Sequence, residues 1–232
     1  MDSPFSTRRF TVVLVAAQLC LTGCSAERSA SRSYAPVFAT DLQSVVCTGT
    51  QEEHFRQTTG SVHVQDPVGR IIKIEARGRA SVDVSFGLLG DRDNDRLEEI
   101  PTWLSTLILK GSSPFGPIEI RVRPFNRHPF KKSLGEIEEL VNTTTDTLDI
   151  SPCAAAGSAK SFFDVYVQLR LGGVLYHSHD PTHLTTIIPT IPPPSGNPPY
   201  CTSASPPPVE LFTETEVLAP FVLGGGPHCH RI

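Results

Sequence analysis

Three histidines fall within seven positions of LYHSHDPTHLTT, residues 175–186: His177, His179 and His183. Neutral imidazoles are common ligands of zinc and related transition ions. A catalytic zinc takes three protein ligands and keeps one position open. If residues 174–179 form a strand, His177 and His179 project from the same face. A turn through Asp180–Pro181 would have to fold His183 back to complete the set. Histidines beside a turn serve equally well as hydrogen-bonded structural residues, and the sequence favours that role. On this expectation the purified protein carries well under one equivalent of transition metal. Replacing all three histidines with Ala then costs a little stability and no activity.

The spacing H-x-H-x3-H superficially resembles the ligand run of cupins, which makes a metal-dependent, cupin-like enzyme the alternative. Pro181 interrupts the run, and the downstream cupin motif is missing. A second set of possible ligands lies in DRDNDRLEE, where Asp91, Asp93 and Asp95 alternate. Calcium loops use such carboxylates because the ion takes six to eight oxygens. The EF-hand pattern fails here: Arg96 replaces the glycine and Thr102 the bidentate glutamate. A solvated acidic turn after Gly90 is the expectation, with a calcium-stiffened loop as the alternative. Nucleophile signatures are missing. There is no G-x-S-x-G, and GSSPFG is a turn. The pairs Glu98–Glu99 and Glu138–Glu139 are sequence neighbours whose spacing sets no catalytic separation.

The elements that would hold these residues read as strands. RIIKIEARGRASVDVSFG places Ile72, Ile74 and Ala76 on one face, and Ala80, Val82, Val84 and Phe86 on one face after RGR. It is two strands around Gly78, or one long bent strand. PIEIRVR alternates likewise. SFFDVYVQLRL is the strongest run, and residues 161–171 are expected to be the central strand. Phe163, Val165, Val167, Leu169 and Leu171 then point inward, and Gly172–Gly173 turns into a partner strand, VLYHSH. HLTTII, VELF and EVLAPFVL add strands. Helix signals are few. LEEIPTWLSTLIL could hold a short helix limited by Pro101. SLGEIEELV could hold two turns, with Ser133 as N-cap and Glu136 at capping-box spacing. The expected fold is all-β: a two-layer antiparallel β-sandwich, jelly-roll or immunoglobulin-like, with at most one or two short helices. Nine prolines in residues 189–208 cannot occupy a sheet centre. They are expected to form a stiff crossover, or a docking strip for another envelope protein.

The N-terminus and the cysteines say where such a domain resides. Arg8 and Arg9 precede an apolar run, Phe10–Leu21, too short for a bilayer span and suited to a secretory signal. It ends in LTGC, Leu21–Cys24, which resembles a bacterial lipobox. The expectation is a signal peptide over 1–23, diacylation (palmitate) at Cys24, a tether over 24–45 and a single β-domain over 46–232. Several acyl chains on one cysteine anchor firmly where one chain would not. Ser25 after the cysteine implies the outer membrane of a diderm bacterium. The net charge of −4 for the 232 residues argues against nucleic acid as partner. Cys47, Cys153, Cys201 and Cys229 remain for two disulfides in an oxidising compartment. Three pairings are possible. Cys201–Cys229 with Cys47–Cys153 is preferred, because Cys201 and Cys229 flank the last hairpin.

Three blocks, DRLEEIPTWLSTLILKGSSPFGPIEIRV, SLGEIEELVNTT and KSFFDVYVQLRLGGVLYHSHDP, resemble those of a recurrent family of exported bacterial proteins with no assigned function. In that family a block ending SP(L/F)GPV is followed by GxIEE and then SFFDVFVEI…LHN. The resemblance covers roughly residues 66–200. His177 matches the histidine of the LHN block, Ser178 replaces its asparagine, Trp103 replaces an acidic residue, and His179 lies outside the pattern. The resemblance implies an extracytoplasmic β-domain and supplies no activity. The functional expectation is an envelope-anchored lipoprotein with a structural or binding β-domain. Its partners are the membrane, through the lipid, and an unknown envelope protein or surface ligand.

Overall fold

The computed structural model describes residues 47–65, 70–126, 131–194, 198–203, 207–223 and 229–231. The signal peptide, Cys24 and the tether lie outside the described residues. Among the described residues thirteen strands form one antiparallel sheet that closes on itself. They are β1 (Thr50–Gln65), β2 (Ile71–Ser85), β3 (Glu99–Ser113), β4 (Gly116–Val122), β5 (Leu134–Glu139), β6 (Ala159–Val165), β7 (Val167–Leu171), β8 (Val174–Ser178), β9 (Thr182–Ile188), β10 (Tyr200–Cys201), β11 (Val209–Thr213), β12 (Leu218–Leu223) and β13 (Cys229–Arg231). Among the described residues the only helical element is a 3₁₀ turn, Phe86–Leu88. The all-β expectation therefore holds.

Three long strands, β1, β2 and β3, are shared by two closed circuits. At one end Glu99–Trp103 of β3 pairs with β5, and the order runs through β6, β9, β10 and β13 back to Thr59–Gly60 of β1. At the other end Ile108–Ser113 of β3 pairs with β4, and the order runs through β7, β8, β11 and β12 back to Val64 of β1. In each half the shared strands face the returning ones across an apolar layer. Val82 and Val84 of β2 meet Phe163, Ile188 and Tyr200, for example. One contiguous core results, and closure leaves fewer open edges to aggregate.

β2 passes straight through Gly78 as one strand, the second of the two expected forms. A Cβ at Gly78 would run into the Ile108 carbonyl oxygen of β3, so glycine is what lets the two backbones pair there. The central run is divided at Tyr166. Its first half pairs in one circuit and its second half in the other, while Phe163, Val165, Val167, Leu169 and Leu171 are all buried as expected. Gly172 and Gly173, both at positive φ, make the two-residue turn into β8.

Both segments that could have held a short helix are strands instead. EIPTWLSTLILKGSS is β3. Pro101 falls one residue beyond the last β2 pair, Val84–Thr102, where its missing N–H breaks no bond to β2. LGEIEE is β5, paired on both sides by β3 and β6. Ser133 caps no helix, because its Oγ accepts the Tyr166 N–H at 3.0 Å. Ladder bonds on both edges outweigh a weak helical preference.

The disulfides are Cys47–Cys153 and Cys201–Cys229, the preferred pairing. The described part of the proline-rich crossover lies against the body. Ile191 is buried in the core, and Pro192 and Pro193 line the same small void as Phe55 and Ile188.

Leu169→Ala should remove about 2–5 kcal/mol in urea unfolding, because a fully buried leucine leaves a cavity. The neighbouring exposed Arg170→Ala should change stability by less than about 1 kcal/mol. Equal effects would show that β7 does not face the core.

Candidate functional site

β8 carries Tyr176 inward and His177 outward. The register fixes this: Tyr176 pairs with Leu169, and His177 with Gln168 on one side and Phe212 on the other. His177 is nonetheless almost completely buried, with only 8% of its side chain exposed. His179 follows the strand end and stacks face to face on Phe212, with ring centroids 3.9 Å apart. Glu216 reaches both rings from the turn joining β11 to β12. That turn is pinned by Thr213 N–H to Val217 O, Glu216 N–H to Thr213 O and Val217 N–H to Thr213 Oγ1. Glu216 itself sits at φ 60°, a conformation uncommon for a side-chain-bearing residue.

Three donor groups converge as a result. His177 Nε2 and His179 Nε2 are 3.3 Å apart. Glu216 Oε1 lies 3.4 Å from the first, and Oε2 2.8 Å from the second. Behind them Arg123, just past β4 and only 3% exposed, donates from Nη1 to the Ser178 carbonyl at 2.9 Å. Ser178 Oγ accepts the Val167 N–H at 2.9 Å, and Lys131 Nζ donates to the His179 carbonyl at 3.2 Å. The backbone presenting both histidines is therefore tied down on several sides.

Burial lowers the pKa of His177, and the Arg123 cation lowers it further against the pull of Glu216. The shift favours the neutral ring, the form that can ligate a metal or accept a proton. Burial alone would raise Glu216. The nearby His177, His179 and Arg123 outweigh it and keep the carboxylate ionised. Arg123 is itself lowered by burial, partly offset by Glu216, and its buried Nε has no hydrogen-bond partner.

The structure does not bring His183 to this site. His183 belongs to β9 in the other circuit, where its Nδ1 meets Asp164 Oδ1 of β6 at 2.8 Å. Of the candidate trio His177, His179 and His183, the structure brings only the first two together. The chain continues from His179 into β9, which pairs with β6 and carries His183 away, instead of folding back at Asp180–Pro181. Glu216 takes the third place, and neither it nor Arg123 was singled out from the sequence. Thirty-seven residues separate Glu216 from His179, so no local spacing could signal the contact.

Asp91, Asp93 and Asp95 do cluster, but on an exposed turn. Asp91 accepts the N–H groups of Asp95 and Arg96, Asp93 that of Asp95, and Asp95 that of Leu97. They close their own loop, as solvated Asx turns do. On the core side, Val64, Phe115, Leu171, Tyr176, Pro220 and Phe221 line a cavity of about 180 Å³ that presents no convergent charged groups.

No protein-family model matches the chain, and neither does any curated protein. Among solved structures it is similar to that of DynF from the dynemicin biosynthesis pathway of Micromonospora chersina. The TM-score is 0.54 at 13% identity, over 98% of this chain and 96% of that one. At that identity the likeness concerns the β-rich fold alone.

Two further histidines have titration consequences. Burial lowers His63 to about 4, helped by Lys73, and burial alone lowers His230 to about 4. Both bind a proton more readily unfolded, near 6.5, than folded. Their contribution to stability is complete above about pH 6.5 and is lost as pH falls towards 4. His63→Gln should flatten the fall in urea-unfolding free energy between pH 6.5 and 4. An unchanged slope would mean that His63 already titrates normally in the folded protein.

Proposed function

We propose that this protein is an exported, lipid-anchored β-domain that acts by binding, through the outer-face site at the ends of β8 and β11. The observation carrying this reading is the convergence of His177, His179 and Glu216 on a strand face that has no core to fill. Outward residues of a half-buried sheet are ordinarily solvated polar groups. Here they are stacked, bonded and braced by a buried arginine. Rigid, second-line support of this kind is what a binding constellation requires. The half-exposed side chains of His179 and Glu216 leave the site open to a ligand on one side.

Anchoring is supported by the sequence from Arg8 to Cys24, with its short apolar run and terminal LTGC. The disulfides Cys47–Cys153 and Cys201–Cys229 agree with an oxidising compartment. A lipid on Cys24 would place the β-domain at the membrane surface.

The Cys24→Ser variant should move the protein from the detergent phase to the aqueous phase in phase separation of whole cells. A variant that still partitions fully with detergent would overturn lipid anchoring. For the binding role, Phe212→Ala removes the stacking platform of His179 and should increase the mobility of the histidine ring resonances in NMR. Unchanged His179 relaxation would remove the argument from rigid positioning.

A further inference from the structure

Resting on the binding role proposed above, we infer that the ligand of this site is a divalent first-row transition ion, held by His177 Nε2, His179 Nε2 and the Glu216 carboxylate. Ligand atoms each about 2.0–2.1 Å from one zinc stand roughly 3.4 Å apart in a tetrahedron, and closer in an octahedron. The two imidazole nitrogens are 3.3 Å apart, and the carboxylate meets one through Oε1 at 3.4 Å and the other through Oε2 at 2.8 Å, all close to that spacing. Two imidazoles and one carboxylate are also a recurrent donor set for zinc and for non-haem iron with open positions.

A cation between them would make all three groups ligands at once, each through an atom already turned to the common point. The supporting groups fit this role. Phe212 sets the His179 plane, Arg123 and Lys131 fix the backbone on either side of it, and the hairpin bonds of Thr213 aim Glu216. Two neutral ligands and one carboxylate leave a divalent ion with net positive charge, and the half-exposed side of the site admits water or an exogenous ligand at the remaining position.

The test uses the mature-length protein without a polyhistidine tag, stripped with chelator and titrated with zinc chloride by calorimetry, with cobalt chloride as a spectroscopic probe. One zinc should bind per chain, and cobalt should give the visible absorption of a low-coordinate site. Glu216→Gln and His179→Ala should each weaken zinc by more than about 100-fold, the upper end of what losing a merely supporting group costs. His183→Ala should leave affinity within twofold. Circular dichroism would confirm that every variant is folded. Absence of stoichiometric zinc and cobalt binding in the folded protein would overturn the inference. So would binding that survives both Glu216→Gln and His179→Ala, or that disappears in His183→Ala. None of these failures touches the binding role itself, which is tested by the Phe212 experiment, or the lipid anchor, which is tested at Cys24.

Discussion

The closure of both circuits depends on β1, β2 and β3 staying paired with one another along most of their length while their outer neighbours change. A strand has two edges. β3 offers β2 one edge over Thr102–Gly111, and gives its other edge to β5 over Glu99–Trp103 and to β4 over Ile108–Ser113. The switch falls at Leu104–Leu107. There Leu104 donates its N–H to the Ser133 carbonyl, and the β2–β3 register shifts between Ser81 and Val82. β1 makes the matching change, with an irregularity between Phe55 and Thr58 before it meets β13 and then β12. Bulges of this kind sharpen local twist, and twist is what lets one ladder diverge into two closed circuits.

The far end of the β3–β5 ladder, away from that switch, is held by buried polar groups. Glu139 is fully buried at the end of β5, and it accepts the N–H groups of Glu98 and Asp149. Burial raises its pKa, and the proximity of Asp149 and Glu98 raises it further against those two bonds. Asp149 in turn accepts from Thr143 and Thr144, and Glu98 from Asp146. Three carboxylates thus replace water for a stretch of irregular backbone between β5 and β6, to which Cys153 bonds Cys47. A buried loop without such acceptors would leave its N–H groups unpaired at about 1–3 kcal/mol each.

What could be read from the sequence follows from which interactions are local. Alternation is local, so β4, β7, β9 and the inward set from Phe163 to Leu171 were legible, as were the Gly172–Gly173 turn and the cysteine pairing. The break at Tyr166 was not. It is imposed from outside, by the Ser133 hydroxyl on its N–H and by Arg123 N–H on its carbonyl. β5 was misread for a related reason. Its SLGEIEELV pattern satisfies a capping box, and only the presence of two flanking strands decides otherwise. His177 and His179 were legible as a pair because period two places them on one face. Their third partner was not, since Glu216 arrives through the β11–β12 hairpin from a distant part of the chain.

The outer face of the β8–β11 pair shows why such a cluster is tied to register rather than to any one residue. Moving β11 by one position against β8 would turn Phe212 inward, where Leu211 now fills the core, and would withdraw the stacking surface from His179. The same slip would carry the Thr213–Val217 turn, and Glu216 with it, about 3.4 Å along the strand. That distance is larger than the present contact between Glu216 and His179. Burial of Leu211 on one face therefore specifies the position of Glu216 on the other. The core that holds the sheet closed is also what brings two imidazoles and a carboxylate to a common point.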